Sequence, residues 1–575
     1  MLRRRPDEKS IGVWKYKTVG RPTAETRVEP NHGRAWVQKC NFTFLVSRLV
    51  HDLDHNSAYG WGIDLFAKHL EEPIAYVIPC DMASSSTALR QGIMKLAPSI
   101  VCRMGSDDFL AFVDQDLRKQ DMSTLFVTKF VGKVYLASGE HYWVFPEVTL
   151  DENGIPVEQI VILKPNERSA RLPTIHVPLL ATDDKGKKRL AALSERIRLA
   201  YGSKFIHVVH LLTSVLKAIH YDTIMKHEHY VPVANIFGPA NTGKTLACAI
   251  ALQIMQSPEL MLSRCTASSM IDTANLIKNM LIVWDDPRDC TASQLSAIVH
   301  EAFNGLANCT ISRGTRHYHS SLIIGTQQRC LGMPYNAVNV ATFSRLSHIS
   351  MEEDKLSDGE RKKKDIKSHG FDPSAEPKLQ EIMQDLDSVF PYLLKKSYYD
   401  ATKVKKIYDK LREQNPLVIS RSLATAAIDC HCVQVLRECG FTASTPEVKS
   451  YFFVDYPNFL LQVCPRSSPL QQFLKDVKRL LDANCKMPVD CYKDRVMVDF
   501  KPGGLTECFA VQPKEFFAFL TAQLPYNVHY TREQVHSELR MCKSDGAVSH
   551  NVAFKTKEGG VVVKRSMVIR RALLG

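Results

Sequence analysis

Apolar positions along this chain follow two rhythms, an alternation typical of strands and a three-to-four-residue spacing typical of helices, and the switches between them divide it into regions. Over 36–181, short apolar runs such as Ala75-Tyr76-Val77-Ile78-Pro79 and Leu125-Phe126-Val127-Thr128 alternate with helically spaced stretches at 86–96 and 107–120, which predicts an N-terminal α/β accessory domain. Ahead of it, residues 1–35 are basic, broken by Pro and Gly, and weakly periodic; they predict a tail. After a charged linker at 182–190, helical spacing over 190–226 leads into a strand-like run, Tyr230-Val231-Pro232-Val233-Ala234-Asn235-Ile236-Phe237. Two further apolar runs follow at 281–284 and 321–326, each ending in polar residues, so 190–350 predicts a third, α/β region of strands and helices. The polar stretch 351–377, with Arg361-Lys362-Lys363-Lys364, predicts a charged linker, and 378–500 a helical region. Over 501–575 helical spacing gives way to two β-rich runs flanking Lys557-Glu558-Gly559-Gly560, which suggests a winged-helix-like module.

Composition narrows the class. With 575 residues, 45% hydrophobic and 23% charged, the chain is globular and long enough for several domains. Its most apolar helical stretch, 205–219, is interrupted by His207, His210 and Lys217, so no membrane span is expected. Met1-Leu2-Arg3-Arg4-Arg5-Pro6 is followed by Asp7-Glu8-Lys9 instead of an apolar core, so the protein is expected inside the cell, in nucleus or cytoplasm, and not secreted. The sixteen cysteines form no Cys-x-x-Cys pair; reduced thiols are expected, and Cys430-His431-Cys432 with Cys439 lies in a helix-like run where neighbours point to different faces. A formal charge of +13 biases the protein towards polyanions, with nucleic acid first among them.

The chemistry centres on Gly238-Pro239-Ala240-Asn241-Thr242-Gly243-Lys244-Thr245, which fits G-x-x-x-x-G-K-[ST] without a mismatch between a strand and the helical run 246–255. In this pattern the glycines let consecutive N–H groups face phosphate oxygens, Lys244 brings a cation to the β- and γ-phosphates, and the Thr245 hydroxyl can ligate Mg²⁺. Leu281-Ile282-Val283-Trp284-Asp285-Asp286 supplies the acidic strand end such a site needs, Asp285 41 residues after Lys244. Asp285 is assigned to the metal with Thr245, and Asp286 to polarising the attacking water. Ser321-Leu322-Ile323-Ile324-Gly325-Thr326-Gln327-Gln328 ends in amides, either of which, Gln327 or Gln328, can sense the γ-phosphate and hold that water. Arg345, at the head of a final strand-like run, is placed to reach a neighbour's nucleotide. The cofactors expected are ATP and Mg²⁺.

Phosphate loop, Asp-Asp strand, amide-tipped strand and trailing arginine within Gly238 to Arg345 resemble a superfamily 3 helicase, the ring-forming AAA+ type of viral and plasmid replication proteins. More loosely, 76–349 resembles an uncharacterised domain family of bacterial and phage primase-helicase-like proteins. This sequence departs from the superfamily pattern in carrying Gln where the strand tip usually has Asn, and Asp286 where Glu is frequent. The resemblance implies a multidomain α/β fold with a central three-layer P-loop ATPase of AAA+ type, an N-terminal α/β domain and a helical to winged-helix-like C-terminal region. It also implies a homo-oligomeric ring and a hairpin gripping DNA in the channel, carried over to Arg313, Arg316 and His317 within the basic run 308–319. The expected function is an ATP-dependent DNA helicase or translocase for a mobile element or virus-like replicon, acting on single-stranded or duplex DNA. The rival is a nucleotide-gated, nucleic-acid-binding assembly switch with slow hydrolysis. Over 501–575, eleven Lys and Arg against six Asp and Glu point to duplex phosphate contacts through Lys555, Lys557, Lys564 and Arg565.

Overall fold

The computed structural model describes the chain apart from residues 1, 6–11, 19–25, 29–33, 165–182, 306–307, 311–313, 317, 334–336, 353–370, 465–468, 500–504, 525–530, 536–546, 556–560, 571–575 and a few single or paired positions. The chain is a mixed α/β protein of two compact units, 1–179 and 180–575.

The first unit opens with strands where a tail is expected. Leu2–Arg5, Gly12–Thr18, Arg34–Cys40 and Thr26–Val28 pair antiparallel in that order. The reason lies in Val13-Trp14-Lys15-Tyr16-Lys17 and Ala35-Trp36-Val37, β-formers too few per run to stand out from the surrounding basic residues. A second sheet runs in the order Val161–Leu163, Ser123–Thr128, Phe42–Asp52, Ser57–Ala67, Ile74–Pro79. Its alternating apolar face carries Phe42, Phe44, Ile63 and Leu65 into a core shared with helices Ser86–Met94 and Ser106–Leu117. There Phe44 stacks on Phe109 at 5.4 Å and meets Phe112 edge-on at 5.7 Å. Val131–Tyr135, His141–Val144, Thr149–Leu150 and Pro156–Val157 then form an antiparallel meander.

The second unit begins with helices Asp183–Tyr201 and Phe205–Ile219. By length and composition the stretch Asp184–Ile219 could cross a membrane, but 72% of its apolar window is buried inside the fold. Its apolar side packs against a sheet of five parallel strands in the order Met261–Ser263, Leu281–Asp285, Ser321–Thr326, Val233–Phe237, Leu346–Ser350. Val233–Phe237 is buried at every position, and Leu281–Asp285 and Ser321–Thr326 at all but the last. That is the pattern of a parallel sheet covered on both faces. The amide-tipped strand thus lies between the phosphate-loop strand and the Asp-Asp strand.

Helices Ala401–Gln414, Ser420–Glu438 and Tyr456–Val463 continue the unit. Ser420–Glu438 is buried on most sides, and it carries Asp429, fully buried, into a polar cluster. Lys217 Nζ donates to Asp429 Oδ1 at 2.7 Å, the Ser347 hydroxyl to Oδ2 at 2.6 Å, and His210 Nε2 lies 2.9 Å from Oδ2. Helix Phe205–Ile219 and the edge strand Leu346–Ser350 therefore converge on one carboxylate from helix Ser420–Glu438. Depression of the Asp429 pKa by Lys217 and His210, against its burial, keeps it ionised.

The last part of the chain has a core of its own. Phe473 and Val477 of helix Pro469–Asp482 pack with Phe509, Phe516, Leu520, Val535 and Ile569, so that helix belongs with the terminal sheet. The sheet order is Tyr492–Asp499, Leu505–Val511, Val561–Arg570, Ala547–Lys555. Val561–Arg570 and Ala547–Lys555 form the hairpin that the β-rich runs predict.

Candidate nucleotide-binding site

The phosphate loop leaves the carboxyl end of Val233–Phe237 and enters helix Lys244–Ile254. The turn needs Gly243: its φ is +76°, and a Cβ there would lie 2.8 Å from the rings of both Phe371 and Tyr201. Lys244 Nζ donates to the carbonyls of Gly238, at 2.7 Å, and Pro239, at 2.5 Å. Burial lowers the Lys244 pKa, while Asp285 and Asp286 pull it the other way.

The Thr245 hydroxyl donates to Asp285 Oδ2 at 3.0 Å. Both are hard oxygen donors, and their separation matches the ~3 Å edge between adjacent ligands of an octahedral Mg²⁺ held at about 2.1 Å. The donor set therefore fits the metal. On the amide-tipped strand a Cβ at Gly325 would stand 2.6 Å from Asp285 Oδ1, so a side chain there would displace that carboxylate. Asp286 leaves the strand with φ +52°, its N–H donating to Gly325 O at 3.0 Å.

These groups share one cleft of about 590 Å³, lined by Ala240 to Leu246, Asp285, Asp286, Gly325, Thr326 and Gln327. The sequence leaves Gln327 and Gln328 equivalent; Gln327 lines the cleft, whereas the backbone carbonyl of Gln328 accepts from the Thr326 hydroxyl at 2.8 Å.

The fold resembles that of a helicase. Among solved structures, SCCmec type IV Cch, described as an active helicase, matches with a TM-score of 0.51 at 13% identity, over 96% of this chain and 97% of that chain. At that identity the likeness establishes the fold alone. A protein from Cytophaga hutchinsonii provisionally named an ATPase matches at 12% identity and TM-score 0.28, over 49% of this chain and 88% of its own; at that score it carries no argument. No protein-family model and no curated protein matches the sequence.

Four residues of the site are invisible to motif reasoning. Phe371, Pro373 and Glu376 complete the cleft, and Tyr201 donates its hydroxyl to Gly243 O at 2.8 Å while its ring lies 5.1 Å from that of Phe371. Both described ends of the polar stretch 351–377 return to the core, Met351 N–H donating to Phe237 O and Asp372 N–H to Ala200 O, each at 2.7 Å. The signal available was Phe371 itself, an aromatic residue ending a polar run.

Arg345 lies elsewhere. It precedes Leu346–Ser350, whose first residue pairs with Val233 and last with Phe237, so a strand of five residues, roughly 16 Å, separates it from the phosphate loop. Its Nη1 donates to Ala341 O, its guanidinium lies 5.5 Å from the Phe303 ring centre, and burial with nearby Arg421 pushes its pKa down to about 10.

The expected hairpin has its arms at Asn308–Thr310 and Gly314–Arg316, paired antiparallel. Arg313, His317 and the Arg316 side chain lie outside the described residues. So do the side chains of Lys555, Lys557 and Arg565. Lys564 donates to Asp490 O at 3.3 Å and lies 3.7 Å from Glu515. On helix Ser420–Glu438, His431 accepts the Asp400 N–H at 3.1 Å.

Proposed function

We propose that this chain is an ATP-hydrolysing motor of the superfamily 3 AAA+ type that assembles as a homo-oligomeric ring and moves or remodels DNA, in the replication of a mobile element or virus-like replicon. The observation that carries the reading is the convergence of Lys244, Thr245, Asp285, Asp286 and Gln327 in one cleft at the carboxyl ends of parallel strands. Strand Ser321–Thr326, which leads into Gln327, lies between the strands bearing the phosphate loop and the acids, so its tip reaches both. The helicase likeness over the whole chain supports the same reading at the level of fold.

In this reading the loop N–H groups and Lys244 bind the β- and γ-phosphates, and Thr245 with Asp285 holds Mg²⁺, which when bound neutralises charge on the phosphate oxygens. Asp286 accepts the proton of the attacking water, and Gln327 orients that water. Phe371 and Pro373 form the wall on the base side, with Glu376 as a hydrogen-bond acceptor there. Arg345, a strand's length from its own phosphate loop, acts on the nucleotide of a neighbouring subunit. The hairpin with Arg313, Arg316 and His317 contacts DNA, and the terminal sheet serves as a winged-helix-like duplex contact.

The test is ATP turnover with and without single-stranded DNA. Lys244→Ala is expected to abolish turnover, Asp285→Asn to impair Mg²⁺-dependent nucleotide binding, and Asp286→Asn to keep binding and lose turnover. Unchanged turnover in Lys244→Ala would refute the reading, whereas slow turnover indifferent to DNA would favour a nucleotide-gated assembly switch.

A further inference from the structure

Away from the nucleotide cleft, the helical region holds a cavity of about 470 Å³ with a cationic rim. Lys410 reaches it from helix Ala401–Gln414, Arg437 from Ser420–Glu438 and Lys449 from Thr445–Ser450, with Cys430 on its wall. Arg437 is fixed by Nε donating to Ala443 O and Nη2 to Thr445 Oγ1, each at 2.6 Å, which leaves Nη1 available. The one acid of the lining, Glu438, accepts from the Tyr398 hydroxyl at 2.6 Å. Three cations thus face a cavity whose single carboxylate is already hydrogen-bonded.

The aromatic part of the rim has an independent origin. Immediately after Thr445–Ser450 the chain makes a π-helical turn, Tyr451–Asp455, in which the Tyr456 N–H donates to Tyr451 O. Such an inserted turn rotates the following side chains and is frequent at functional sites. Tyr451 and Phe452 are buried, Tyr451 facing His210, while half-buried Phe453 lines the cavity with Lys410 Nζ 4.9 Å from its ring centre. Seven residues before Lys410, on the same side of the helix, Lys403 repeats the pairing over Tyr398, 4.8 Å from the ring centre. Helix Ala401–Gln414 carries five basic and two acidic residues.

We propose that this cavity binds one nucleotide of single-stranded nucleic acid, its phosphate held by Lys410, Arg437 and Lys449 and its base stacked on Phe453. Alternating cations and aromatic rings suit a phosphate backbone with exposed bases, and a base can reach the Phe453 face only when it is not stacked in a duplex. The cavity is also in the size range of nucleotide-sized ligands. The site is additional to the hairpin and rests on the nucleic-acid reading above.

The test is fluorescence anisotropy of a labelled oligothymidylate with the full chain across a salt series, beside DNA-free ATP turnover. The Lys410→Ala/Lys449→Ala double variant is expected to flatten the logarithmic salt slope by up to about 0.7, the loss of one single-strand phosphate contact. Phe453→Ala is expected to weaken binding by at least ~5-fold, Phe453→Trp to retain it, and all of these to keep DNA-free turnover. Lys405→Ala, on the same helix outside the cavity lining, is the control for bulk charge. Equal loss in Lys405→Ala, or wild-type oligonucleotide affinity in the cavity variants, overturns the cavity and leaves the motor standing. Variants that lose thymidine monophosphate but not the oligonucleotide assign the cavity to a free nucleotide and overturn the proposal. An unmodified chain that binds no oligonucleotide overturns both, while cavity-dependent binding without ATP turnover keeps the cavity and removes the motor.

Discussion

Acidification from about pH 7.5 to about pH 5.5 is expected to destabilise the second unit through two histidines buried in neutral form. His348, 1% exposed, donates from Nε2 to Phe343 O at 2.9 Å, and its Nδ1 has no partner. His431, also 1% exposed, uses Nε2 to accept the Asp400 N–H at 3.1 Å, so protonating it at Nε2 would set donor against donor. Burial, the largest cause, pushes each down to about 4. The unfolded value is ~6.5, so the unfolded chain takes up protons that the fold refuses. These histidines therefore contribute stability fully above about pH 6.5 and lose it as pH falls towards 4. One unit below the unfolded value each costs about 1.4 kcal/mol, on the order of 3 kcal/mol together, a large part of a typical margin of ~5–15 kcal/mol. His210, lowered by burial against the opposing pull of Asp429, adds in the same direction. Glu447, held at about 2 by Arg198, contributes above its unfolded value of ~4.3 and loses that below it, outside the window. Urea denaturation followed by tryptophan fluorescence at each pH, with fully buried Trp284 as a reporter, should show the wild type weakening. His348→Gln/His431→Gln should weaken distinctly less. Equal pH dependence in the two proteins would refute the reasoning.

Two further outcomes are expected. Asp429→Asn should destabilise by ~3–5 kcal/mol because it leaves the Lys217 ammonium buried beside Ser347 without its counter-charge, and Lys217→Met in the same chain should recover part of the loss in a melt; no recovery would mean that the pair does not act as a unit. Mixing Arg345→Ala with Lys244→Ala subunits should restore some ATP turnover by pairing intact half-sites, and a mixture as inactive as its components would contradict action across a subunit boundary.

The phosphate loop was legible because its parts are consecutive: Gly238 to Thr245 needs only a strand before it and a helix after it, and both are local patterns. Asp285, Asp286 and the pair Gln327-Gln328 were legible as strand ends, since a parallel sheet gathers the carboxyl ends of its strands on one side, but only the structure separates Gln327 from Gln328. Phe371 and Tyr201 were not, because their proximity to Gly243 depends on the meeting of Asp372 with Ala200, residues far apart in the chain, which no local spacing encodes. The N-terminal strands escaped for a different reason: the β-formers of Gly12–Thr18 and Arg34–Cys40 are few and lie among basic residues, so they do not stand out as apolar runs. Lys564 counted among free cations by charge alone, yet its contacts to Asp490 and Glu515 come from a turn and a helix distant in the chain.

The carboxylate of Asp429 also bears on how the protein is made. Lys217 and Asp429 are 212 residues apart in the chain and Ser347 and Asp429 are 82 apart. A ribosome adding ~5–20 residues per second exposes Lys217 for ~10–40 s before its partner is synthesised. Until then the motif-bearing region contains a lysine, a histidine and a serine built for burial around an acid that has not yet emerged. The stretch ending near Ser350 holds the whole nucleotide signature and still lacks the charge that closes its own interior. A fragment cut at that boundary is therefore expected to accumulate as a chaperone-bound or aggregated species unless residues through Val463 travel with it.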